Sequence, residues 1–205
     1  MKRRGCLISF LIGILLLIVL TYGIFTAFDP VYSSAKIKQK IGGVLICNTV
    51  YSADHHNGQY NVTYKYQAPN DRVYEIGYGS YHSREWNQDE QLINYGKWTI
   101  LKTGDWAGTD KILVGDLKTK IWTEYKFTPE TIEESKLWKS SKTHSLLNYC
   151  CAESYINKIS NGEIVVFYKF RIDEKKVHLM ETRKITYQLD IASGQPNMIA
   201  VTAVQ

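Results

Sequence analysis

Two hydrophobic patterns divide this chain. From Leu7 to Phe28 the run is continuous: LISFLIGILLLIVL is almost wholly aliphatic, TYGIFTAF extends it with aromatics, and no charge falls between Gly5 and Phe28. Those 22 residues, at ~1.5 Å of helical rise each, cover ~33 Å, enough for a bilayer core of ~30 Å. The pattern predicts one membrane-spanning helix over residues 1–28, stopped by Asp29-Pro30. The alternative is a cleaved secretory signal with its apolar core at 7–20.

After residue 43 the pattern changes to alternation. In YNVTYKY (60–66), Tyr60, Val62, Tyr64 and Tyr66 fall on one face and Asn61, Thr63 and Lys65 on the other. Period two of this kind predicts a half-buried strand. Six turn-forming residues follow, and VYEIGYG (73–79) then repeats the alternation, so the two segments read as a hairpin. Further strands are predicted at 44–51, 97–102, 111–114 and 121–127. YINKIS and EIVVFYKFRI flank Asn161-Gly162, the dipeptide favoured in tight hairpins. Strands at 177–181, 185–191 and 198–204 close the chain.

Two weaker elements complete the pattern. Thr128 as a cap, Pro129 and the acidic Glu130, Glu133 and Glu134 predict a helix running to about Lys139. A second short helix is predicted at 144–152. Residues 29–42 read as a stalk, with VYSSAKIKQKI a short helix ended by Gly42-Gly43. The fold class expected is therefore mainly β: one N-terminal transmembrane helix, then a single antiparallel β-rich domain over 43–205, a sandwich or barrel-like, with one or two short helices.

The segment from Val44 to Phe127 resembles, in layout, a bacterial family of small membrane-anchored β-domains of unknown function. The shared features are an apolar N-terminal helix, a glycine-led first strand (GGVLICNTV), the tyrosine-alternating strand YNVTYKY, a turn, and the second such strand VYEIGYG. The resemblance implies an anchor followed by a β-domain. It implies no activity.

Charge sets orientation and excludes one class of partner. Lys2, Arg3 and Arg4 precede the apolar run, so the positive-inside tendency places the N-terminus in the cytoplasm and the domain outside. The expected location is the bacterial inner membrane, crossed once. Removing those three from the 25 basic residues leaves 22 against 20 acidic ones. With no polybasic run, nucleic acid is not an expected partner.

Candidate chemistry is sparse. Cys47, Cys150 and Cys151 would sit in an oxidising compartment, where Cys47 could bridge either of the adjacent pair; three buried thiols are the alternative. His55 and His56 are adjacent, but neighbours on a strand point to opposite faces, and no zinc spacing accompanies them. TGDWAGTD, with Asp105 and Asp110, lacks the acidic spacing of a calcium loop and reads as a turn. No metal or cofactor is expected. Trp106 in that Gly-containing loop is the first choice for an exposed partner contact, and Trp86 the second. The function expected is a non-catalytic, envelope-exposed binding protein with a protein partner, such as an immunity-type protein or an accessory subunit. The alternative is an anchored enzyme acting on cell-wall or surface polymers.

Overall fold

The computed structural model describes residues 12–19, 31–53, 58–82, 91–105, 109–140, 153–171 and 180–204. Residues 12–19 form helix α1, exposed along its length. No described helix is long and apolar enough to cross a membrane. The rest of the predicted span lies outside the described residues.

Four strands form the first sheet in chain order: β1 (Val31–Lys38), β2 (Val44–Ala53), β3 (Gly58–Gln67) and β4 (Tyr74–His82). All pairs are antiparallel. β3 and β4 are the predicted tyrosine-rich hairpin. β1 corrects an expectation, because the residues read as a helical stalk are instead a strand in register with β2. Ala35 and Ile37 pack against the cluster that contains Leu45 and Cys47, so a paired strand buries apolar surface that an isolated short helix would leave in water.

The second sheet has eight strands. β5 (Ile93–Tyr95), β6 (Trp98–Asp105), β7 (Thr109–Asp116) and β8 (Ile121–Lys126) precede helices α2 (Pro129–Glu133) and α3 (Lys136–Ser140). β9 (Glu153–Ser160), β10 (Glu163–Arg171), β11 (Met180–Leu189) and β12 (Pro196–Ala203) follow. The order is β12-β11-β10-β9-β7-β6-β5, with β8 also on β7. Asn161 and Gly162 both have positive φ, the backbone that a tight turn between β9 and β10 requires. The predicted helix to Lys139 is broken in two. Thr128 caps α2 as expected, but the Ser135 hydroxyl accepts from the Trp138 backbone N–H at 3.1 Å and starts α3. The chain turns there so that Trp138 packs against Tyr168 and Phe170.

The two hydrophobic clusters share one pair of strands, β6 and β7 of the second sheet. Leu101 of β6 and Leu113 of β7 join the cluster of Leu45, Val62, Tyr64, Tyr66 and Ile76 from the first sheet. On their opposite face, Ile100, Ile112 and Val114 join Ile132, Trp138, Ile164, Val166, Tyr168, Ile185 and Leu189. Every residue from Lys111 to Gly115 is buried. β7 therefore carries an uninterrupted apolar run from Ile112 to Gly115, as expected of a strand covered on both sides. β4 crosses above this pair, with the Tyr81 ring lying against Gly104, where an added Cβ would sit 2.7 Å from ring carbons.

One seam departs from the antiparallel expectation. β9 lies parallel to β7, and the only register pair is Thr109 with Ser154. Side chains close what the backbone leaves open. The Asp110 carboxylate accepts from the Ile156 N–H at 2.5 Å and pairs with Lys102 at 2.8 Å, while Lys102 Nζ donates to the Ile156 carbonyl at 3.0 Å. Ser154 Oγ donates to the Phe127 carbonyl at 2.5 Å. Hydrogen bonds to a charged partner contribute ~1.5–3 kcal/mol. Asp110→Ala is accordingly expected to lower unfolding stability by roughly 2 kcal/mol, and Asp110→Asn, which keeps an acceptor for Ile156, by less. Urea unfolding of the three proteins checks this; equal stability for all of them would show that the seam is held by other means.

Candidate interaction surface

An edge strand exposes a row of backbone N–H and C=O groups that can pair with another chain. Among the described residues, three strands of eight or more residues lie at sheet edges, and the six-residue β8 has β7 as its one described partner. β12 is blunted: its register with β11 slips between Thr186 and Tyr187, leaving Ile199 opposite no partner. Such a bulge twists an edge away from further pairing. β4 lies over β6, with Tyr81 on Gly104, and its own register with β3 is broken at Tyr64.

β1 has neither protection. Its eight residues pair with β2 without interruption, Val31 opposite Tyr51 through Lys38 opposite Val44. No described strand pairs with its other side. Cross-strand side-chain bonds tie it to β2: Ser33 and Thr49 hydroxyls lie 2.5 Å apart, and Ser34 Oγ donates to Asn48 at 2.8 Å. Alternate residues divide between two faces. Ala35 and Ile37 turn toward the core, yet Val31, on the same face, is 61% exposed. On the outer face Tyr32 is 72% exposed, in line with Ser34, Lys36 and Lys38. The result is an unfinished apolar row beside an open backbone edge.

A concavity lies on the second sheet. A groove of about 210 Å³ runs between Trp98, Tyr125 and Val114, with Lys97, Asp116 and Ser193 among the residues at its walls. Its main aromatic is committed to the fold. Trp98 Nε1 donates to the Ile191 carbonyl at 2.9 Å, and Lys97 Nζ lies 4.6 Å from the indole centroid. Asp116 accepts from the Lys118 N–H at 2.8 Å and so stabilises its own turn. The described lining brings together no nucleophile with a base. Among the described residues no group of three His, Cys, Asp or Glu side chains could hold a metal ion.

The residues singled out in the sequence are scattered. Trp106, Trp86, Cys150, Cys151, His55, His56, His144 and His178 lie outside the described residues. Cys47 is fully buried on β2, in the core of the first sheet. Trp98 and Trp122 are half-buried, and Trp138 is core. Asp110, read as turn chemistry, is the clasp across the parallel seam. Sequence reading passed over Val31 and Tyr32. The signal was present, since Val31, Ser33, Ala35 and Ile37 alternate with Tyr32, Ser34, Lys36 and Lys38 at a strand's period.

No family model, curated protein or solved structure matches this chain.

The turn at 190–195, which gives the groove Ser193 and Gly194, is closed by one carboxylate. Asp190 accepts from the Ser193 N–H at 2.8 Å and the Ala192 N–H at 2.7 Å, and these bonds hold its carboxyl below the usual aspartate range. A depressed folded-state pKa contributes stability above the unfolded value of ~3.9 and loses it as pH falls through the folded value. The amide resonances of Ala192 and Ser193 are expected to titrate together below that ordinary value, and Asp190→Asn to abolish the transition. A midpoint at or above the ordinary value would contradict the assignment.

Proposed function

We propose that this chain is a membrane-anchored, extracytoplasmic protein-binding module that accepts a partner's strand along the free edge of β1. The observation that carries the proposal is that edge: eight residues in unbroken register on one side, with no described strand on the other, and with Val31 and Tyr32 exposed. Strand addition draws affinity from main-chain hydrogen bonds and specificity from alternate side chains. Support for the anchor comes from the uncharged stretch 7–28 behind Lys2, Arg3 and Arg4, which sets β1 three residues beyond Phe28. The layout resemblance of residues 44–127 to small membrane-anchored β-domains fits the same reading. An immunity-type protein and an envelope accessory subunit are two forms that such a module takes. The anchored-enzyme reading has less support, because the described groove spends its carboxylate and its indole on local structure.

Two measurements test this. A reporter active only outside the cytoplasm, fused after Gln205, is expected to work, whereas activity of a cytoplasm-only reporter would reverse the topology. For the edge, proline is placed singly at Ser33 and Ser34 in the full chain. Successive strand residues point their N–H groups to opposite sides, so one variant disturbs the β2 ladder and the other only the free edge. The second is expected to stay folded and to lose partner capture at a photo-crosslinker placed at residue 32 by roughly tenfold or more. Undiminished capture by both folded variants would remove β1 as the site.

A further inference from the structure

The pattern along β1 is complementary to itself, and we infer that the strand it accepts is β1 of a second copy of this chain, antiparallel, with Ser34 opposite Ser34. The inference rests on the reading that β1 takes up a strand, and it names the occupant.

Symmetry restricts the choices. Two identical strands pairing edge to edge in antiparallel fashion are related by a two-fold axis normal to the sheet, which keeps each side chain opposite one on the same face. Only registers centred on a residue satisfy this. Centred on Ser34, the apolar Val31 meets Ile37 of the second copy, Ser33 meets Ala35, and Tyr32 meets Lys36; symmetry repeats each pair. The exposed Val31, which has Tyr51 opposite it on β2, gains the half-buried Ile37 as an apolar neighbour on its other side. Each Lys36 ammonium meets a tyrosine ring, a favourable cation–π pairing. The neighbouring registers are poorer. Centring on Lys36 opposes like charges, which destabilises a cross-strand pair. Centring on Ala35 sets Ile37 against Ser33 and leaves Val31 beyond the end of the partner strand. Centring on Ser33 pairs only residues 31–35 and leaves Ile37 and both lysines without cross-strand partners.

A shared membrane favours this geometry. Two copies anchored in the same direction are related by an axis along the membrane normal. That axis coincides with the one the strands require when the first sheet lies flat above the bilayer. Pairing then joins two four-stranded sheets into one of eight and closes an edge that neither charge nor bulge protects at its Val31 end.

The test uses the full chain in its own membrane. Ser34→Cys, Lys38→Cys and the unaltered protein are oxidised with copper phenanthroline and run without reductant. Ser34→Cys is expected to give a disulfide dimer beyond any formed by the unaltered protein, and Lys38→Cys, which faces Pro30, is not. Tyr32→Lys places lysine against Lys36 and is expected to lower the dimer association constant roughly tenfold. The exchanged variant Tyr32→Lys with Lys36→Tyr is expected to restore it, since the same two pairs re-form in swapped positions. Cross-linking that peaks at Lys38 or at another position overturns the register. Monomer at every position, with partner capture still lost in the edge-proline variant, overturns self-pairing and leaves strand addition by a different protein. Monomer together with undiminished capture in the folded proline variants removes both readings.

Discussion

The structure depends on one strand pair being buried from both sides. β6 and β7 present Leu101 and Leu113 to the first sheet and Ile100, Ile112 and Val114 to the helices and the rest of the second sheet. A face of a sheet must be covered by another layer, and here the same two strands are covered twice. Neither hydrophobic cluster is complete without them. Truncating a buried leucine or isoleucine typically costs ~2–5 kcal/mol, and on β7 such a loss falls on the element common to both clusters.

That arrangement explains where polar side chains are spent. A central strand has its backbone partners on both edges, but β7 is shared along one edge between β8 and the single parallel contact with β9. Lys102 and Asp110 supply the bonds that the short parallel ladder does not. Lys111, buried on the same strand, is paired with Glu124 at 2.7 Å, so its charge is not left alone in the interior. At the periphery the economy is different. β12 carries a bulge and β4 lies across its neighbours, while β1 keeps a continuous register. An edge of that kind is a liability unless something covers it, and it is this contrast that directs the functional proposal to β1.

Local pattern was enough for much of the fold. The alternation of 60–66 and 73–79, Asn161-Gly162, and the Thr128-Pro129 start all appear where their physics places them. Four features were not readable. The strands read separately at 177–181 and 185–191 are one strand over Met180–Leu189, since the polar Thr182, Arg183 and Lys184 pair with β10 without a break. β1 carries Val31 and Ala35 four residues apart, a helical spacing, as well as its strand alternation, and the tertiary need of β2 for a neighbour decides between them. β5 has only three residues, too few for any period to show. The parallel seam joins segments far apart in the chain through Asp110 and Lys102, whose role depends on topology. The candidate site was hidden for the same reason: whether a strand is an edge is a property of the assembled sheet. Tyr32 looks like any other tyrosine in a chain with fifteen of them.

Native-state hydrogen exchange across β2, β7 and β10 tests the dependence of both clusters on β7 most directly. The amides of Leu45, Leu113 and Val166 are expected to exchange through the same global opening, with one free energy, and to lose protection together in Leu113→Ala. Exchange of the first sheet through a separate, lower-energy opening, with β10 unaffected by Leu113→Ala, would show two independent cores and contradict the account.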